Sequence, residues 1–250
     1  MNSFKDKIRI VLLGIVVPFA IYIFSNMVVV LIINSILKSD SINIMVIQGI
    51  ANIVSVVALV PYYIWFKNVY SIFDTKLEFL KVFYVIIISF ALCIILNILI
   101  EFIPREQENI VSENIKKLSS EYTPLLSLAI VSITAPIIEE LIFRGFFYDS
   151  IKIVSNDIIA IILTSITFGV FHFDLQQIIY AFIVGLLLGY LRFKFNNLLY
   201  PVIMHAMMNT TSLLIIPEIS KNSSERSIIY NLFISFFILA FSIIRLKSNN

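Results

Sequence analysis

Two adjacent carboxylates and an arginine, Glu139, Glu140 and Arg144, lie inside an apolar run that extends from about Leu125 to Tyr148. A charge at the centre of a membrane helix costs roughly 2.5–3.5 kcal/mol on insertion scales. Three such groups within one short stretch point to chemistry rather than packing. On a helix, Glu140 and Arg144 are i, i+4 neighbours and can pair along one face. Glu139 is turned about 100° away and is free to face something else. The chain holds only two histidines, and both also fall in apolar runs: His172 near the end of one, His205 in another with Asn209 one turn further on. Taken singly, each of these residues reads as hydrogen-bonding glue between membrane helices. Taken together they describe a reaction. A carboxylate among apolar side chains is a competent general base, and a histidine beside it can hold a water. A second histidine with an asparagine can donate hydrogen bonds to an oxyanion developing on a carbonyl. That set suits hydrolysis of an acyl bond without a covalent intermediate. No Gly-x-Ser-x-Gly occurs and Cys93 has no histidine near it in sequence, so a serine or cysteine nucleophile finds no support. Cys93 reads as a small packing residue. Two histidines and a glutamate are also a zinc ligand set, so zinc held by His172, His205 and Glu139 is the alternative cofactor reading. There is no His-Glu-x-x-His to support it, and no cofactor is required by the metal-free reading.

The elements that must position these groups are membrane helices. The chain has 250 residues, is 60% hydrophobic and only 14% charged, with a mean hydropathy of +0.99. This composition places it among polytopic membrane proteins, as an all-α bundle in a single domain, residues 1–250. A net charge of +2 without a basic tract excludes nucleic acid as a partner. Apolar segments at 10–37, 44–66, 82–103, 125–148, 158–173, 175–193, 198–216 and 228–244 predict about eight transmembrane helices, the fifth and the eighth short. The first is too long for a signal-peptide core and is expected to be retained. If the N-terminus is cytoplasmic, one side carries Lys5, Lys7, Arg9, Lys67, Lys76, Lys81, Lys152, Arg192, Lys194, Arg245 and Lys247. The other carries Lys38, Arg105, Lys116, Lys117, Lys221 and Arg226. That bias predicts a multi-pass protein of the plasma membrane with both termini cytoplasmic and the acidic connection 104–123 outside. At about 1.5 Å per residue, Glu139 lies about 20 Å from Lys152, His172 about 22 Å from Asp157 and His205 about 16 Å from Lys194, so the three share a layer. Gly185-x-x-x-Gly189 offers a small-residue face for close helix approach. Pro136 and Gly145 are placed to bend the fourth span locally. The methionines 204, 207 and 208 read chiefly as packing, and 68–80 as an amphipathic piece on the inner interface.

Glu-Glu-x-x-x-Arg, Phe-x-x-x-His and His-x-x-x-Asn, in that order on separate helices, resemble the CPBP family of intramembrane proteases. That family includes type II CAAX prenyl endopeptidases and bacteriocin-immunity (Abi) proteins. The motifs occupy 139–209, within a core of 124–217. The resemblance implies that Glu139 and His172 activate a hydrolytic water, that His205 and Asn209 stabilise the oxyanion, and that Glu140 and Arg144 form a supporting pair. It further implies a peptide or protein C-terminal substrate met at the lipid bilayer: a secreted peptide, pheromone precursor or bacteriocin, with self-immunity as one outcome. Two other functions are weighed. One is a non-catalytic partner that binds a bacteriocin or a sensor kinase. The other is a transporter with a Glu/His proton relay, which lacks the inverted repeat such a fold usually shows.

Overall fold

In the computed structural model, which describes residues 4–37, 43–103, 124–172, 174–221 and 224–248, the chain forms helices throughout. The connection 104–123 lies outside the described residues, so its expected position is not addressed. Helix α1 covers residues 4–37, running Phe4–Val11, a π-helical turn Leu12–Val16 and Val17–Leu37. Helices α2 (Ile44–Tyr70) and α3 (Phe79–Ile100) follow. Helix α4 covers residues 124–154 and alternates α-helical pieces with two π-helical segments, Ile130–Thr134 and Leu141–Phe147. Then come α5 (Asp157–Val170), α6 (Leu175–Phe195), α7 (Leu199–Leu214), the short α8 (Ile216–Lys221) and α9 (Glu225–Ser248).

Among the described residues seven helical stretches are long and apolar enough to cross a membrane, the sixth running from α7 into α8 (Leu199–Ile219), and the protein is a multi-pass membrane protein. The expected fifth span is the departure. It forms only 14 residues of helix, from an Asn156 cap whose side chain accepts from the Ile159 amide to a turn at Phe171 and His172. A crossing helix needs about 20 residues. Yet α5 still runs the height between its neighbours. Its start is tied to the end of α4 by the Tyr148–Asp157 hydrogen bond and the Lys152–Asp157 ion pair. Just after it, Gln176 at the start of α6 donates to the carbonyls of Ile100 and Ile103 at the far end of α3. The up-and-down alternation is therefore kept. At the opposite end of the bundle, Leu246 of α9 packs with Val85, Leu191 and Phe195, at the start of α3 and the end of α6. Gly14 of α1 sits so close to α4 that a Cβ there would run into Ser150 Oγ. Both chain ends thus belong to one end of the bundle.

Two apolar clusters build the interior. One joins α2, α4, α5 and α6 through Leu59, Tyr63, Phe66, Ile142, Phe143, Phe146, Phe168 and Ala181; the other joins α3, α6, α7 and α9. Met204 and Met208 are fully buried in the second, so they are packing residues. The glycine face of α6 meets α5: a Cβ on Gly185 would come 3.1 Å from the Ser165 Cα, and one on Gly189 would come 3.1 Å from Ile161 Cγ2. Near the end that holds the termini lies an ionic network that residue types alone did not reveal. Arg192 of α6, 1% exposed, donates to both oxygens of Asp149 in α4 at 2.9 and 3.1 Å and to Asp74 at 2.9 Å. Tyr63 of α2 donates to Asp149 at 2.9 Å, and Lys67 pairs with Asp74 at 2.6 Å. The stretch after α2 supplies Asp74 to this network and Thr75 to the carbonyl of Phe195.

Removing one partner of a buried ion pair leaves an uncompensated charge and costs about 3–5 kcal/mol. Arg192→Met is therefore expected to destabilise the protein by that amount in detergent unfolding. Arg192→Met combined with Asp149→Leu should cost less than Arg192→Met alone. If the two changes simply added, Arg192 and Asp149 would not act as a pair.

Candidate functional site

Helix α4 brings its charges to the seam between the two apolar clusters, and the local chain explains how. Pro136 has no amide hydrogen and its ring crowds the carbonyl four residues back, at Ser132. The π-helical segment Ile130–Thr134 immediately precedes the turn that carries Pro136 and both glutamates, and a second π segment follows them. A π turn widens the helix by one residue and frees backbone groups from their usual partners. Those groups are taken up by neighbouring helices. Asn209 of α7 donates to the carbonyl of Val131 at 2.9 Å, and Arg192 donates through Nε to the carbonyl of Arg144 at 3.2 Å. Gly145 packs against the Tyr63 ring, where a Cβ would approach to 3.2 Å.

The two adjacent glutamates have different environments. Glu140 and Arg144 are both 0% exposed. Arg144 donates through Nη1 to Glu140 Oε1 at 3.0 Å and through Nη2 to the Gly185 carbonyl at 3.1 Å, with its guanidinium 4.5 Å from the Phe168 ring centre. His205 of α7 places Nδ1 2.8 Å from the same Glu140 oxygen. An ionised carboxylate only accepts, so Nδ1 carries the hydrogen. Nε2 of His205 then faces Glu139 Oε2 at 3.7 Å. The Glu139 side chain is 34% exposed, and among the described residues no basic group lies closer to it than that imidazole.

His172 stands on the turn after α5, half-buried. Its Nδ1 lies 2.9 Å from the Phe168 carbonyl, which also only accepts, so Nδ1 donates and Nε2 keeps its lone pair. Among the described residues no contact within 4.0 Å joins its ring to a carboxylate. It joins the site through Phe168, whose ring meets His172 edge-on at 5.0 Å and His205 at 5.6 Å. The geometry thus gathers Glu139, Glu140, Arg144 and His205 directly. Asn209 is on the same face of α7 but is turned to Val131, and His172 is one ring away. Phe168, the first residue of the Phe-x-x-x-His motif, had no role assigned from the sequence: it touches both histidines and the arginine. Its signal was its place one turn before His172.

Among the described residues no three of His, Cys, Asp and Glu are gathered closely enough to hold a metal ion. His172, His205 and Glu139 as placed do not form a zinc ligand set, and no step is routed through a metal below.

Residues 121–211 match the family model of type II CAAX prenyl endopeptidase Rce1-like proteins. The resemblance drawn from the three motifs therefore holds for the part of the chain that carries them. A Bacillus subtilis (strain 168) protein named Putative membrane peptidase YdiL is 29% identical over 101 residues, 40% of this chain and 41% of that protein. The chain thus matches about two fifths of the length of this relative. No solved structure matches the chain.

The unequal settings of the glutamates give a prediction. Glu140→Ala strands Arg144 without its counter-charge and should lower stability by about 3–5 kcal/mol. Glu139→Ala removes a partly exposed carboxylate whose basic neighbour, His205, stands at 3.7 Å, and should change it by less than about 1 kcal/mol. Thermal unfolding of the two variants in one detergent measures the difference. Equal losses would show that Glu139 is as structural as its neighbour.

Proposed function

We propose that this chain, with an Rce1-like segment across residues 121–211, is an intramembrane endopeptidase that hydrolyses a peptide bond with a glutamate- and histidine-activated water. The observation that carries the reading is the division of labour between the glutamates. Glu140 is held by Arg144 and His205 at 3.0 and 2.8 Å, whereas Glu139, a third exposed, meets His205 Nε2 only at 3.7 Å. It is the carboxylate available to take a proton.

In this mechanism Glu139 draws a proton from a water that is held against the lone pair of His172 Nε2. The oxygen attacks the substrate carbonyl carbon. The oxyanion that forms is met by hydrogen bonds from His205 and from the carboxamide of Asn209. Glu140 fixes the tautomer and orientation of His205, and Arg144 fixes Glu140. Collapse of the tetrahedral intermediate breaks the C–N bond, and Glu139 returns its proton to the leaving amine. Preorganised donors at a site that excludes bulk water are what make such an oxyanion accessible.

The substrate class that suits this site is a peptide or a protein C-terminus presented at the bilayer, with processing of a secreted peptide or bacteriocin self-immunity as the cellular role. The bundle end that holds both termini also holds Lys67, Lys152 and Arg192, which supports cytoplasmic termini in the plasma membrane.

Purified protein in detergent is expected to cleave members of a fluorogenic peptide library. Glu139→Ala and His172→Ala should each lower kcat by about 10²–10⁴-fold, the usual range for removing a general acid or base. A zinc chelator should leave the wild-type rate unchanged. Loss of activity with chelator, restored by zinc, would replace the metal-free scheme. Cleavage that survives both substitutions would leave the site without a role in hydrolysis.

A further inference from the structure

The Rce1-like match begins at residue 121, so α1 to α3 lie outside it. Even so, α1 and α2 bring a polar cluster to the catalytic layer. The contacts between α1 and α4 run in opposite senses. Gly14 abuts Ser150, and Phe19 meets Phe143 at 5.8 Å and Phe171 at 5.5 Å. One further turn along α1 brings Tyr22 level with Glu139 and the turn that bears His172. Glu139 is among the charges that act electrostatically on the Tyr22 phenol. From α2, Gly49 abuts Ile130, and Asn52 donates to Thr134 Oγ at 3.5 Å. Gln48, one turn before Asn52, is therefore level with Ile130, about 13 Å along α4 from Glu139, and is linked to the layer of Glu139 through Tyr22.

Gln48 is the hub of this cluster. Its amide nitrogen is 2.9 Å from Asn52 Oδ1, 3.0 Å from Asn26 Oδ1 and 3.3 Å from Tyr22 Oη. Two N–H bonds thus serve three acceptors. The opposite imbalance exists on the other atoms: the Tyr22 phenol is met by the Gln48 and Asn26 amides, and among the described residues no hydrogen bond is seen in which its hydroxyl donates or in which Gln48 Oε1 accepts. Tyr22 and Gln48 are half-buried. One donor and one acceptor, on side chains already 3.3 Å apart, are what a single peptide group requires.

A membrane peptidase has a particular need for such a pair. In the bilayer a helical substrate has all its backbone groups bonded internally. Its carbonyl carbon is reachable only where the helix is unwound, and each unwound N–H and C=O then lacks a partner. Burying such a group unpaired is costly. We infer that Tyr22 and Gln48 bind one unwound peptide group of the substrate a few residues from the scissile bond, the phenol O–H donating to its carbonyl and Gln48 Oε1 accepting from its N–H. This inference rests on the peptidase reading for its substrate, and it makes the two N-terminal helices a substrate-binding wall.

The test is binding without turnover. A fluorescein-labelled apolar decapeptide is titrated into Glu139→Gln protein in detergent, with Tyr22→Phe or Gln48→Leu added to that background. Each addition should weaken binding about tenfold. An ester in place of the contacted peptide N–H should weaken binding to the Glu139→Gln protein but not to the variant that also carries Gln48→Leu. In cleavage assays Tyr22→Phe should raise KM about tenfold and keep kcat within threefold. Unchanged affinity, or affinity and unfolding temperature falling together in both variants, would make the cluster helix packing and overturn the inference. Because binding is read on Glu139→Gln protein, the two readings fail separately. Tyr22-dependent binding without wild-type hydrolysis would sink the peptidase reading. Wild-type hydrolysis with affinity indifferent to Tyr22 and Gln48 would sink this one.

Discussion

A single carboxylate oxygen, Glu140 Oε1, takes a guanidinium hydrogen from Arg144 and an imidazole hydrogen from His205 in a place with no exposure to solvent. In a low-dielectric interior an isolated charge is prohibitive, and a half-paired one is nearly so. The rest of the site follows from this constraint. Arg144 must lie along the face of α4 that reaches Glu140, and its second branch must find an acceptor. The closest backbone available is the Gly185 carbonyl, which the glycine face of α6 allows to come near. His205 must present Nδ1 to Glu140, which leaves Nε2 facing Glu139. The buried ion pair thus sets the direction in which the reactive face looks. Glu139 keeps only the longer contact to His205, at 3.7 Å, because its neighbour takes the shorter bonds from Arg144 and His205.

The helix that carries these charges is not a regular one, and its irregularity is used. Each of the three π-helical segments gives up a backbone carbonyl to a side chain from another helix. Tyr62 donates to Leu13, Asn209 to Val131 and Arg192 to Arg144. A carbonyl freed in an apolar bundle must find a donor, so each widened turn fixes the rotation of one helix against another. Two of these clamps flank the turn Ala135–Glu140. The glutamates are therefore held from both sides, by α7 toward one end and by α6 toward the other.

The distinction between what the sequence disclosed and what it withheld follows the range of the interactions. Helical spans depend on local hydropathy, and the shared face of Glu140 and Arg144, or of His205 and Asn209, depends only on spacing along one helix. The close approach of α6 was legible in Gly185 and Gly189, although not its partner, α5. Pairings set by packing were not legible. Nothing in the spacing of Glu140 and His205 says that these two share a hydrogen bond, because they are 65 residues apart. The motif-based pairing of His205 with Asn209 as joint donors did not anticipate that Asn209 is also a clamp on α4. Asp74 and Asp149 read as ordinary charges near span ends until Arg192 is found between them. The fifth span, expected to be short, ends about three residues before its apolar run does because the chain turns at Phe171 and His172.

Arg192 joins the two charged layers of the molecule. Its Nη atoms are held by Asp149 and Asp74 near the bundle end that carries the termini, while its Nε reaches the carbonyl of Arg144. Arg144 is in turn the residue that holds Glu140. A rigid chain of contacts therefore runs from the connection after α2, through α6, to the carboxylate that orients His205. Asp74 is the member of that chain most open to solvent, at 24% side-chain exposure, and it is shared between Lys67 and Arg192. Its contribution is weakened by water, whereas Asp149, almost wholly buried and also bonded by Tyr63, grips the guanidinium at two oxygens. The position of Arg192 is therefore set from the α4 side. The same helix that bears the reacting groups also fixes the arginine that clamps it, so α4 and α6 hold the site as one unit.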